Sequence, residues 1–400
     1  RRVRGVFTAS ILVGSIIGGS LFAFVGDWKG RKIALICSTF FLIAPGIAIG
    51  FIKNIWASSV MRLLIGVGVG GTSCIGPVYA NECVAAKYRG RVGSIFQLLT
   101  TFGIFFAYVM NYAFAKNNEY HSDVPLDLWR WQAQIFIGLL SGFMYCVLLP
   151  FTPETPSFLE KQANKDSEKK EDKQKKEEVK ITPEEEKKYG SVLRCVIIAS
   201  IFGLLSQFSG INAVIYYSTQ TLSDNDLIEP LLSSMLVVGL WNMVSVWIVL
   251  PFFDKLGRRP VMITSYIGLT VGNLIMSIAQ FTDTVWLNLV GLFIFIFMFE
   301  LGPGCLFWVV APELFGPSTR QLGMAIAFGV NNVSNLIVSL LFPVVSGSKI
   351  GGGGTFLIFT VICFIGVGFL YAYLPESNVS EDFTNKEKIG VEVVAETGKK

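Results

Sequence analysis

The chain has 400 residues, of which 52% are hydrophobic and only 16% charged, with a formal net charge of +4. A soluble chain of such positive mean hydropathy would aggregate, so the composition excludes a soluble globular protein and describes one that crosses a membrane many times. The small charge gives no ground for nucleic-acid binding. The one histidine, His121, in a polar loop, argues against zinc or His-based catalysis, and the scattered cysteines, with no Cys-x-x-Cys pair, are read as free thiols without metal.

Apolar runs at about 5–25, 33–52, 56–80, 92–113, 131–151, 192–220, 228–253, 261–281, 285–311, 322–346 and 356–374 predict eleven spanning helices. Their connections alternate in character. Lys29, Arg31 and Lys32, then Lys87, Arg89 and Arg91, then Lys255, Arg258 and Arg259, and finally Arg320 and the tail lysines mark one set; the other set carries few cations. By the positive-inside rule the first set is cytoplasmic, and so is the C-terminus. An odd number of helices would then leave Arg1, Arg2 and Arg4 on the outer side, against the same rule.

An internal repeat accounts for the mismatch. Asp27 with Gly30-Arg31-Lys32 is echoed by Asp254 with Gly257-Arg258-Arg259; Glu82 with Arg89 is echoed by Glu313 with Arg320; Pro153-Glu154-Thr155 is echoed by Pro375-Glu376-Ser377. The echoes keep their order and fall about 225 residues on, the mark of two homologous six-helix halves. The expectation is an all-α membrane protein: an N-terminal bundle over 1–155 lacking its first helix, a linker over 156–191, a C-terminal bundle over 192–374 and a cytoplasmic tail over 375–400. Residues 160–188 within the linker are nearly all Lys, Glu, Asp and Gln, which reads as a mobile segment or short surface helices, with anionic lipid as a rival use for its basic residues.

The most informative stretch is Gln207-Phe208-Ser209-Gly210-Ile211-Asn212, with Tyr216-Tyr217-Ser218 following, inside the 192–220 run. Amides and hydroxyls at that depth face a bundle interior or a water-filled path, or else bond helix to helix. At 100° per residue Gln207 and Asn212 stand about 140° apart, so either the wet face is broad or the helix is interrupted near Gly210. Gln97, Asn242, Asn331, Asn332 and Asn335 are further amides within predicted spans. An amide offers a donor and an acceptor side by side, matching a vicinal diol, so the set suits a sugar or polyol. Trp308 could lie against the apolar face of a pyranose. Glu300 stands mid-span before Gly302-Pro303-Gly304, a sequence expected to interrupt the helix; binding solute, responding to protons and pairing with an arginine are all open to its carboxylate, while Arg62 is open to pairing with an acid elsewhere or to snorkelling to the interface. Gly66, Gly68, Gly70 and Gly71 lie in an apolar helix without a preceding strand and are read as packing residues rather than a nucleotide loop. No nucleophile and base set is visible, so an enzyme is not expected.

These residues resemble the sugar porter family of the major facilitator superfamily, and within it the facilitative hexose transporters. The resemblance rests on Gln207 to Asn212 with Tyr216-Tyr217-Ser218, Gly257-Arg258-Arg259, Pro153-Glu154-Thr155-Pro156, Glu300-Leu301-Gly302-Pro303-Gly304 with Trp308, Pro312-Glu313-Leu314-Phe315 with Arg320, and Pro375-Glu376-Ser377. It implies a major facilitator fold of two bundles related by a pseudo-two-fold axis. It also implies that Gln97, Gln207, Asn212, Asn242, Glu300, Trp308 and Asn331 contact a hexose. Arg31, Glu82, Arg89, Glu154, Arg258, Glu313, Arg320 and Glu376 are implied to form a cytoplasmic salt-bridge lock. Ser206 stands where glucose-selective members usually carry Gln, Phe208 where they carry Leu, Ser157 where many have Arg, and Asn332 where many have Trp.

The function so implied is facilitated diffusion of a glucose-like hexose by alternating access, in the plasma membrane, with lipid as neighbour and no cofactor. A proton-coupled sugar or polyol symporter is the alternative, since the helix that carries the coupling carboxylate in such members is the one expected to be missing. A non-transporting sugar sensor is a further rival.

Overall fold

Hydrocarbon offers no partner to a backbone N–H or C=O, so each spanning segment must satisfy its own main chain, and helices do this internally. The computed structural model of the protein describes residues 2–84, 89–115, 128–160, 162–163, 191–215, 232, 234–250, 257–316 and 319–374. Its first half comprises α1 (Arg2–Lys29), α2 (Arg31–Ile49), α3 (Ile55–Cys83), α4 (Arg89–Ala115) and α5 (Leu128–Leu148), the last followed by a 3-10 turn at Leu149–Phe151. The second half comprises α6 (Val192–Phe208), α7 (Trp241–Val249) after a π turn at Met235–Leu240, α8 (Arg258–Phe281), α9 (Val285–Phe299), α10 (Cys305–Glu313), α11 (Arg320–Ser346) and α12 (Gly351–Tyr373). Among the described residues, ten segments are long and apolar enough to cross a membrane, and Met235–Val249 is a shorter apolar helix. The charged linker over 164–190, the tail over 375–400, His121 and Asp254 lie outside the described residues.

Lipid tails are as apolar as leucine, so helices in a bilayer associate through close packing rather than through burial from water. The glycines of α1 and α3 provide it. Gly14 and Gly18 of α1 sit against the backbone of Leu63 and Val67, and Gly66 and Gly70 of α3 sit against the backbone of Ile11 and Ser15. A Cβ at any of these four positions would collide with main-chain atoms, so only glycine permits this approach. Gly68 turns toward α2, against Ser38 and Leu42, which gives the glycine run its use as a packing surface.

The repeat is visible at the start of α2 and of α8. Gly30, with φ of 105°, and Gly257, with φ of 74°, each cap the helix that begins with the following arginine. A side chain is strained in that conformation, so both halves keep Gly-Arg there.

Among the described residues the two halves meet along two seams. On one, α1 lies against α11: Ser15 Oγ donates to Asn332 Oδ1 at 3.2 Å, the Phe328 ring covers Gly19, and Gln321 Nε2 donates to the Ala23 carbonyl at 2.8 Å. On the other, α4 lies against α7 and the π turn before it, with Gly239 fitted against Phe105 and Tyr108.

Two elements differ from simple apolar runs. The 192–220 run ends its first helix at Phe208, turns at Ser209 and Gly210, where φ is 100°, and resumes over 211–215, which selects the interrupted helix of the two sequence readings. The 285–311 run, expected to break at Gly302-Pro303-Gly304, instead continues through a wide π turn at Glu300–Gly304 into α10. Pro303 has no N–H to give to the turn before it, and the extra residue of a π turn absorbs that loss without ending the helix.

Candidate functional site

The interruption of α6 determines where its amides point. In a continuous helix Gln207 and Asn212 would stand about 140° apart. Across the turn at Ser209 and Gly210 they meet, with Asn212 Nδ2 donating to Gln207 Oε1. Gln207 Nε2 donates in turn to Asn331 Oδ1 of α11 at 3.0 Å, and Asn331 Nδ2 donates to the Gly203 carbonyl at 3.3 Å. Three amides predicted from sequence thus form one chain between α6 and α11. Tyr216, Tyr217 and Ser218 lie outside the described residues.

The second group centres on Glu300, which is 1% exposed in the π turn between α9 and α10. Gln97 Nε2 of α4 donates to Glu300 Oε2 at 3.0 Å, Cys305 Sγ lies 3.8 Å from the same oxygen, and the side chain of Asn242, from α7, neighbours the same carboxyl group. These donors are neutral. Asn242 Oδ1 makes no hydrogen bond, although Asn242 is only 1% exposed. Of the residues expected to touch a sugar, Gln207, Asn212 and Asn331 therefore form one set, and Gln97, Asn242 and Glu300 another.

Trp308 is the aromatic member. Its ring packs against Phe96 of α4 at 4.9 Å, Phe307 at 5.2 Å and Phe328 of α11 at 6.2 Å, so it touches both halves. Arg62 places its guanidinium 4.2 Å from the centre of the Phe7 ring.

The charged residues gather at the Gly30 and Gly257 end of the helices. Arg31 lies 3.2 Å from Asp27 and 3.4 Å from Glu82, and its Nη1 donates to the Gly26 carbonyl. The repeat partners Arg258 and Glu313 form an ion pair, and Arg320 Nε donates to the Pro312 carbonyl at 3.1 Å. Among the described residues, Glu154 Oε1 accepts from the backbone N–H of Arg31 at 3.1 Å, and its Oε2 from that of Lys32 at 3.2 Å. The first amides of a helix have no internal partner and carry the positive end of its dipole, so a carboxylate there is a cap. The side chain of Arg89 and all of Glu376 lie outside the described residues.

Two participants escape sequence reasoning. Tyr108 of α4 donates from its hydroxyl to the Ile215 carbonyl at 2.8 Å, joining the halves, and Asn273 of α8 donates to the Ser209 carbonyl at 3.1 Å. An amide inside the 261–281 run was the available signal for Asn273.

Comparison with known proteins places this geometry in a family. Residues 2–382 match the family model described as "Sugar (and other) transporter". The chain is 30% identical to the glucose transporter GlcP of Staphylococcus epidermidis, over 93% of this chain and 85% of that protein. It is 28% identical to the solute carrier family 2, facilitated glucose transporter member 1 of Gallus gallus, over 91% and 77% respectively. In fold it resembles the proton:xylose symporter XylE bound to 6-bromo-6-deoxy-D-glucose, with a TM-score of 0.79 at 22% identity, covering 94% of this chain and 86% of that one. Helical bundles with buried neutral amides, a repeated Gly-Arg helix start and a family match over almost the whole length have one reading: the chain belongs to the sugar porter family of the major facilitator superfamily, and it is an integral-membrane transporter rather than an enzyme.

Proposed function

We propose that the protein moves a glucose-like hexose across the plasma membrane by facilitated diffusion. The observation that carries this reading is the chain of neutral amides from Asn212 through Gln207 to Asn331, its ends buried and Gln207 half-buried, held at a helix interruption inside the bundle. Each amide matches a vicinal diol with a donor and an acceptor, and Gln97, Asn242 and Glu300 supply further partners, with Trp308 as the apolar plate. The names of the staphylococcal and chicken relatives support glucose as the substrate. In this reading the bundles over 1–155 and 192–374 rock about the sugar, and the cluster of Arg31, Glu82, Arg258 and Glu313, with Arg89, Glu154, Arg320 and Glu376, closes the cytoplasmic side. A carrier must release what it binds, so the affinity belongs near millimolar, about −4 kcal/mol.

Counterflow of labelled glucose in proteoliposomes tests the proposal. Exchange should proceed without a pH gradient in the wild type and slow about tenfold with Asn212→Ala. The second reading, proton-coupled symport of a sugar or polyol, is favoured by the burial of the Glu300 carboxylate and by the likeness of fold to a proton:xylose symporter. A strict requirement for a proton gradient would select it and overturn the first.

A further inference from the structure

The interruption of α6 leaves the Ser209 carbonyl at a helix end, fully buried, where no solvent reaches it. Asn273 of α8, itself 0% exposed, donates from Nδ2 to that carbonyl at 3.1 Å, and the same nitrogen lies 3.6 Å from Cys363 Sγ of α12. On the other side of the turn, the Phe359 ring of α12 occupies the space where a side chain at Gly210 would go. The turn is thus held from α8 by a hydrogen bond and from α12 by a ring.

Ser209 sits between Gln207 and Asn212, and those two amides meet only because the helix turns there. The residue that fixes the Ser209 carbonyl therefore fixes the relative direction of both amides. We infer that Asn273 is a positioning residue for sugar recognition: it touches no substrate, and acts by holding the Ser209 carbonyl so that Gln207 and Asn212 present one set of donors and acceptors. This inference rests on the reading that those amides hold the sugar.

The test is equilibrium binding of glucose and its monodeoxy analogues to the full chain, followed by tryptophan fluorescence, with thermal melting measured alongside. Asn212→Ala should weaken glucose about tenfold and abolish the penalty for the analogue that lacks the hydroxyl Asn212 holds. Asn273→Ala should abolish the penalty for the same analogue and reduce that for the analogue lacking the hydroxyl Gln207 holds, while keeping the other penalties. The double variant should bind only about two- to threefold more weakly than either single one, because the two changes disable one element. Asn273→Ser, which keeps a short donor, should fall between, and it carries the test if the alanine variant does not fold. A uniform weakening of glucose and every analogue by the Asn273 variants, or no effect, with Asn212→Ala behaving as expected, would overturn the positioning role alone. If Asn212→Ala leaves binding unchanged, the sugar reading fails and the inference falls with it.

Discussion

Gln97 and Glu300 join the two halves of the protein through a single buried hydrogen bond, Nε2 to Oε2 at 3.0 Å. One comes from α4 and the other from the π turn between α9 and α10, so any rocking of one bundle against the other must stretch or break this contact. In the proposed cycle a sugar hydroxyl can take the place of either partner, which makes the bond a competitor of the substrate as well as a tie between the bundles.

Removing the amide therefore has two consequences of different size. Interhelical hydrogen bonds in membranes average about 0.6 kcal/mol, with the best near 1.7 kcal/mol. Gln97→Leu should lower stability by about 1–2 kcal/mol, read from denaturant unfolding in detergent. Bound glucose should raise stability less in the variant than in the wild type, because the sugar has lost a partner as well.

The packing of α1 on α3 makes a sharper prediction. Gly66→Ala puts a methyl group into the main chain at Ile11, and overpacking of that kind costs about 1–3 kcal/mol. Gly103→Ala in α4, where nothing lies within 4 Å of the added carbon, should be neutral or slightly stabilising, since alanine favours the helix by about 1 kcal/mol. Melting temperatures of the two purified variants would check the contrast; equal losses would show that the glycines are not packing contacts.

How much of this was legible in the sequence depends on what kind of information each residue carries. Gly30 and Gly257 were readable as a repeat because a positive φ restricts the residue type, so the same letter recurs in both halves. The amides of α6 were readable as important but not as neighbours, since helical periodicity separates Gln207 from Asn212 and only the turn at Gly210 brings them together. Glu154 showed its charge and not these partners: its carboxylate accepts from backbone N–H groups at the start of α2, which a pattern of charges does not reveal. Asn273 was the least legible, because its partner is a backbone carbonyl 64 residues away that is free only where another helix is interrupted.

The ion pair between Arg258 and Glu313 is half of a device that the first bundle repeats with Arg31 and Glu82. If these pairs hold one end of the transporter closed, breaking one shifts the conformational equilibrium, and couplings of this kind are about 1–3 kcal/mol, or 5- to 150-fold. Arg258→Glu should slow glucose uptake about tenfold by placing two carboxylates together, and adding Glu313→Arg should recover most of the rate. Initial uptake rates in proteoliposomes measure both. An uptake defect that the charge exchange leaves untouched would mean that Arg258 serves the fold and not the gate.

The seam between α1 and α11 holds the same end without net charge. Gln321 Nε2 donates to the Ala23 carbonyl at 2.8 Å, and Ser15 donates to Asn332 at 3.2 Å further along the two helices. The Ala23 carbonyl belongs to an intact helix and keeps its own intrahelical partner, so losing the side-chain donor does not orphan it. The cost of Gln321→Leu is then the inter-half bond itself, about 0.6–1.7 kcal/mol, which multiplies the population of the parted seam by about 3- to 18-fold. A cysteine introduced at Ala23, which is buried in this seam beside Phe328, in a chain whose native cysteines are replaced, reports that population by its rate of reaction with a membrane-impermeant maleimide. The rate should rise several-fold in the Gln321→Leu background and fall again with bound glucose if the sugar favours the closed seam. An unchanged rate would place the opening elsewhere, on the α4 and α7 side, and would leave Gln321 with a role in packing alone.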